Sequence, residues 1–117
     1  MDVTDSTLTL MIEDLDRSIR FYTERLGFEV EYRAAPHFAM LRSGGLRLGL
    51  HPRGENPGAG ACEGVSIGFQ VEDIRAALRE LGAAGVRFPT GVVEDGPLLR
   101  ADFVDPDGMA LYLIEMQ

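Results

Sequence analysis

Two stretches of this chain occur twice, and the repeat constrains the fold more than any other feature of the sequence. Leu8-Thr9-Leu10-Met11-Ile12-Glu13-Asp14-Leu15 reads like Ile67-Gly68-Phe69-Gln70-Val71-Glu72-Asp73-Ile74. Further on, Ser43-Gly44-Gly45 before Leu46 to Leu50 matches Phe103-Val104-Asp105-Pro106-Asp107-Gly108 before Met109 to Glu115. Asp14 and Asp73 stand 59 residues apart and Gly45 and Gly108 stand 63 apart, so the second copy carries only a few extra residues. The chain is two copies of one module, and each position in the first has a partner in the second that faces the same way.

Each module reads strand, helix, then three strands. In the first, Leu8, Leu10 and Ile12 alternate with Thr7, Thr9 and Met11, a period of two with one uniformly apolar face. Asp14 or Asp16 can cap the helix that follows, Leu15, Ile19, Tyr22 and Leu26 fall at helical spacing, and Gly27 is placed to end it. Phe28 to Tyr32, Phe38 to Arg42 and Leu46 to His51 follow as short strands. The glycine- and proline-rich stretch from Pro52 to Gly64 reads as a link. The second module predicts a strand over Val65 to Val71, a helix from Asp73 that stops at Gly85, and strands near Val86 to Phe88, Leu98 to Val104 and Met109 to Glu115.

With 117 residues, two modules of this size must share a core to be stable. Nineteen acidic against eleven basic residues give a net charge of −8, which argues against nucleic acid as a partner and leaves cationic ligands open. No apolar run is long enough to cross a bilayer, and the start, Met1-Asp2-Val3-Thr4-Asp5, is acidic where a secretory signal is basic, so no membrane partner and a cytoplasmic location are expected. Cys62 is the single cysteine, excludes an internal disulfide, and without basic neighbours is read as an inert thiol.

Glu13-Asp14-Leu15 with Ser18, Phe21-Tyr22 and Leu26-Gly27-Phe28, together with Phe103-x-Asp105-Pro106-Asp107-Gly108, resembles the vicinal oxygen chelate superfamily of glyoxalases, bleomycin-resistance proteins and extradiol dioxygenases. The resemblance spans nearly the whole chain. It implies an α+β fold in which two tandem βαβββ modules form a curled mixed sheet around a cleft, with helices on the outer face, in a homodimer. On this expectation residues 1–117 form one domain, with module one at 1–52, a linker at 53–64 and module two at 65–117.

Enzymes of that superfamily hold a divalent metal through His or Gln on each module's first strand and Glu or His on each last strand. Carried over by position, those sites are Thr7, Gly49, Ser66 and Tyr112. A divalent ion needs several donors converging at about 2.0–2.6 Å, and neutral hydroxyls are weak donors without carboxylate support. No metal and no cofactor is therefore expected. A relocated site would have to draw on His37 or His51 with a carboxylate such as Glu115.

Parity along the strands places Thr7, Thr9 and Met11, then Arg47, Gly49 and His51, on the cleft side of module one, with Ser66, Gly68 and Gln70, then Ala110, Tyr112 and Ile114, in module two. The candidate ligand-binding residues are Thr7, Thr9, Arg47, Gly49, His51, Ser66, Gln70 and Tyr112. Phe38, Met40 and Ile114 are candidates for its lining; alternation alone leaves Phe38 and Met40 open between cleft and core. Tyr112 has two roles open to it, stacking on a planar ligand or, with Gly49 expected opposite, filling the space a metal would take. His51 could orient a polar group or simply end its strand, and no catalytic residue is assigned. The Glu94-Asp95-Gly96-Pro97 turn and the loop from Arg53 to Gly60 are expected at the cleft rim.

Two function classes follow. The first is a metal-free protein that sequesters an antibiotic or another hydrophobic or cationic small molecule in a dimer cleft. The alternative is a metal-dependent lyase or isomerase of the glyoxalase type, or an extradiol dioxygenase, with an atypical ligand set. The absence of Trp, and a first proline as late as Pro36, depart from bleomycin-binding relatives and leave the ligand open.

Overall fold

Alternation gives the first strand two different faces, and the fold covers one of them with a helix. The computed structural model describes residues 1–55 and 64–117, in two compact units, Met1–Gly60 and Ala61–Gln117. In the first, β1 (Thr7–Ile12) leads into α1 (Leu15–Arg20), whose last turn, Phe21–Arg25, is π-helical, and then into β2 (Glu29–Ala34), β3 (Phe38–Ser43) and β4 (Leu46–Pro52). The sheet order is β1-β4-β3-β2, with β1 parallel to β4 and the other pairs antiparallel. A parallel pair needs a crossover, and the helical segment supplies it.

Leu10 and Ile12 of β1, Ala39 and Leu41 of β3, and Leu48 and Leu50 of β4 are buried on the face against which α1 lies. Leu15, Ile19 and Tyr22 meet them from the helical segment. Full burial of an aliphatic side chain is worth roughly 1.5–3 kcal/mol, so this face carries most of the unit's stability. Tyr22 is completely buried and takes Phe21 and Phe28 edge-on at centroid separations of 5.3 and 5.4 Å. Asp14 caps α1 by accepting the Arg17 N–H at 3.0 Å, and Gly27, at φ +74°, ends the segment as expected. The widening of the last turn coincides with the Thr23 hydroxyl donating to the Ile19 carbonyl at 2.7 Å, which competes with the backbone ladder.

The second unit repeats this plan with β5 (Ile67–Gln70), α2 (Ile74–Ala83), β6 (Val93–Asp95), β7 (Leu98–Val104) and β8 (Ala110–Met116), in the order β5-β8-β7-β6. Its core is Ile67, Ile74, Leu81, Leu99, Ala101, Phe103, Met109, Leu111 and Leu113. Asp73 accepts the Ala76 N–H at 3.0 Å, as Asp14 does in the first copy, and Gly85, at φ +95°, stops α2. The two copies are therefore α+β, a βαβββ unit each.

One strand lies elsewhere than expected. Val86 to Phe88 is not a strand; the equivalent strand is β6, which begins five residues after Phe88. Pro89 has no N–H to give a sheet, the Gly91 N–H closes a turn on the Phe88 carbonyl, and the Phe88 ring packs on Phe103 with centroids 5.1 Å apart. Glu94 and Asp95 consequently belong to β6, and only Gly96 and Pro97 form the turn into β7. Most of the expected linker, including Cys62 and residues 56–60 of the expected rim loop, lies outside the described residues.

The Asp105-Pro106-Asp107-Gly108 motif is a structural turn. Asp105 is buried, and its Oδ1 accepts the N–H groups of Asp107 at 2.8 Å and Met109 at 2.9 Å. Gly108 takes φ +84°, a conformation that costs a side-chain-bearing residue more. Among the described residues no helix is long and apolar enough to cross a membrane.

Candidate functional site

The face of each sheet turned away from its helix is where side chains remain uncommitted to the core. In the first unit the register lays this face out in rows. Arg42 on β3 pairs with Arg47 on β4, which pairs with Thr7 on β1; one step along, Tyr32 on β2, Met40, Gly49 and Thr9 line up in the same way. His51 pairs with Met11 at the far end of β1 and β4. Phe38 and Met40 are half-buried and alternate with the fully buried Ala39 and Leu41, so both lie on this face and not among the core residues under the helix.

Gly49 is a close-approach glycine. A Cβ there would lie 2.7 Å from Thr9 Oγ1, so the hydroxyl of Thr9 leans over β4 because Gly49 has no side chain. His51 is half-buried, with Nδ1 3.1 Å from the Pro52 carbonyl oxygen. A carbonyl only accepts, so this contact is a hydrogen bond when Nδ1 carries the proton.

Arg47 is part of a four-residue charge network that sequence reasoning missed. Glu31 accepts the Nε–H of Arg42 at 3.2 Å and that of Arg47 at 3.0 Å. Asp5 accepts from a terminal nitrogen of Arg42 and lies 3.9 Å from a terminal nitrogen of Arg47. The Ser6 N–H and then Arg42 hold the Asp5 carboxyl below its ordinary range, while Glu31 and then Asp5 raise the Arg42 guanidinium. A bulge in β2 between Val30 and Tyr32 makes Glu31 the extra residue and lets it reach this face. The available signal was the Arg42–Arg47 register pair, since like charges directly opposite call for compensating carboxylates.

In the second unit Tyr112 dominates. Its ring lies across Gly68, where an added Cβ would fall 2.2 Å from a ring carbon. Arg100 reaches over from β7 and stacks its guanidinium carbon 4.3 Å from the ring centroid, and its Nε–H donates to Asp102 at 2.7 Å. Asp102 raises the Arg100 guanidinium. Gln70 pairs with Ile114, and Ser66 stands exposed just before β5. The structure thus gathers Thr7, Thr9, Arg47, Gly49 and His51, with Phe38 and Met40, on one sheet face, and Gln70, Tyr112 and Ile114 on the other, with Ser66 at its edge.

The residues at the four positions expected to hold the superfamily's metal do not make a donor set for a catalytic divalent ion. Gly49 offers no side-chain donor, Thr7 and Ser66 offer neutral hydroxyls, and the Tyr112 ring is held over Gly68 under Arg100. No three His, Cys, Asp or Glu side chains converge among the described residues. The alternative donors are placed for other work. His37 is exposed in the β2–β3 turn, and Glu115 accepts the Ile74 N–H at 2.9 Å, capping α2 on the helix side of its sheet.

The sequence model of the glyoxalase/bleomycin resistance protein/dioxygenase superfamily matches residues 6–113. The chain belongs to that superfamily. An uncharacterized protein of Mycolicibacterium smegmatis is 36% identical over 104 residues, 89% of this chain and 86% of the relative. A glyoxalase/bleomycin resistance protein/dioxygenase family enzyme of Burkholderia phytofirmans superposes with a TM-score of 0.84 at 17% identity, over 97% of this chain and 100% of that one. A lactoylglutathione lyase of Agrobacterium tumefaciens superposes at 0.77 with 16% identity, over 98% and 96%. At such identities these structures share the superfamily's fold with this chain, and its chemistry must be argued from its own residues.

Proposed function

We propose that this superfamily member is a small-molecule-binding protein that works without a metal ion, holding an antibiotic or another largely apolar compound on its helix-free sheet faces as a homodimer. The observation that carries this reading is the Tyr112 ring lying across Gly68 at a position where the superfamily's enzymes carry a metal ligand. With Gly49, Thr7 and Ser66 at the other three positions, the donors needed for Lewis-acid chemistry are replaced by an aromatic surface, hydroxyls and a glycine floor. Those are the materials of a binding site, mostly apolar with a few placed polar groups.

The test is a screen of antibiotics and apolar metabolites by thermal shift and calorimetry, with and without a chelator. A ligand at 100 times its dissociation constant adds about 2.7 kcal/mol of stability. The proposal expects saturable binding that a chelator leaves unchanged, with no turnover. Turnover lost on chelation and restored by Ni²⁺, Zn²⁺, Mn²⁺ or Fe²⁺ would place the protein among the enzymes instead. Sedimentation at micromolar concentration tests the homodimer, and a monomer contradicts it.

A further inference from the structure

Two guanidiniums stand side by side on the helix-free face of the first sheet. Arg42 and Arg47 are register partners on adjacent strands, with side chains 31% and 32% exposed, so both can be reached from solvent. Two carboxylates offset their repulsion, and the two are anchored differently. Glu31 sits within β2 and takes the Nε–H of each arginine. Asp5 precedes β1 in an exposed arm without regular structure and faces the outer, terminal nitrogens, accepting from that of Arg42 and lying 3.9 Å from that of Arg47. Beyond the arginines the face changes character. Gly49 lowers its floor, Met40 pairs with Gly49, and Tyr32, 56% exposed, has its ring 5.5 Å from that of Phe38.

We infer that the Arg42–Arg47 pair anchors the acidic head of an apolar ligand, a monocarboxylate with an aromatic or aliphatic body, and that Asp5 occupies this anchor until the ligand displaces it. The inference rests on the protein being a small-molecule binder and names the ligand class, acidic where the overall charge had left cationic ligands open. Guanidinium forks match a carboxylate in geometry as well as charge. The exchange is neutral: one carboxylate leaves and another enters, so the network keeps two cations and two anions. Displacing Asp5 is cheap because exposed ion pairs contribute little to stability. The ligand's body then lies over Gly49 and Met40 toward the rings of Tyr32 and Phe38.

The experiment is calorimetric titration with 4-phenylbutyrate, its primary amide and the corresponding amine, on the wild type and on Asp5→Asn, Arg42→Gln and Arg47→Gln. The acid should bind roughly tenfold tighter than the amide, as expected when a charge-assisted contact is added. Asp5→Asn should tighten the acid about threefold or more and leave the amide unchanged, because only the acid competes with Asp5. Either glutamine variant should bring the acid to the level of the amide; Arg47→Lys, which keeps the charge and loses the fork, should fall between. Thermal midpoints within a few degrees of the wild type confirm that these surface variants fold. Equal affinities for acid and amide, tightest binding of the amine, or an acid affinity indifferent to Asp5→Asn overturns the anchor while the binding function stands. Saturation by none of the three overturns the anchor as well, and the chelator-controlled screen then judges the binding function separately.

Discussion

At the same step of the repeat, the two sheets place their bulk on opposite strands. In the first, Thr9 on β1 pairs with Gly49 on β4; in the second, Gly68 on β5 pairs with Tyr112 on β8. Each pair holds one glycine and one side chain that leans across it. The helix-side faces, by contrast, are alike, with Leu48 and Leu111 equally buried at equivalent positions. The helix-side faces keep the same packing, while the open faces differ: the first keeps a low floor beside two arginines, and the second is closed by a ring. The lesson is that a repeat predicts where side chains point better than what they do there.

The largest effect should come from breaking the helix-side face, the one that is alike in both units. Leu48→Ala should cost about 2–5 kcal/mol, while Arg47→Ala, one residue away on the open face, should cost about 1 kcal/mol or less, both read from urea denaturation. Comparable losses at the two positions would mean that the faces are not distinct. Next come the turns before the last strands. Asp105→Ala leaves two backbone N–H groups without their carboxylate and should cost about 2–3 kcal/mol. The equivalent turn in the first unit is a two-residue hairpin with Gly44 at φ +55°, so Ser43→Ala there should stay within about 0.5 kcal/mol.

A smaller effect tests the opposed bulk itself. Gly68→Thr drives a side chain into the Tyr112 ring and should cost about 1–3 kcal/mol. In a Tyr112→Ala background the same substitution should cost about 1 kcal/mol less, and strict additivity would mean that ring and glycine are not coupled. Smallest is the contribution of Asp5. Its carboxyl is held below its ordinary value of 3.8, so its contribution to stability is present above that pH and is lost as pH falls through the lower, folded-state value. Asp5→Asn should therefore lower the urea midpoint slightly at pH 7, and the difference from wild type should shrink as pH falls below 3.8; a difference that stays constant into acid would point to a role other than charge.

Most of the fold was legible because it rests on local rules. The Asp14 and Asp73 caps, the Gly27 and Gly85 stops and the period-two strands each have one-dimensional signatures, and the repeat doubles every one of them. The shift of the strand expected at Val86 to Phe88 was legible only in part: Pro89 and Gly91 mark a break in the sequence, while the packing of Phe88 on Phe103 is a tertiary contact that a β-prone run does not reveal. On the open faces, parity placed Thr7, Thr9, Arg47, Gly49 and His51 together. It could not place Glu31, since a bulge shifts the count by one, nor bring Asp5 to Arg42 across 37 residues of chain. Parity put Gly68 and Tyr112 on the open sides of their strands, but the glycine expected opposite the ring was Gly49; the residue the ring lies across is Gly68, its register partner on β5.

The most direct test of a metal-independent binding protein is a calorimetric titration of the untagged, chelator-treated chain with Ni²⁺, Zn²⁺, Mn²⁺ and Fe²⁺ in turn. The account predicts no saturable site for any of the four at micromolar protein. One ion bound per chain, with elemental analysis confirming that stoichiometry after gel filtration, would contradict it.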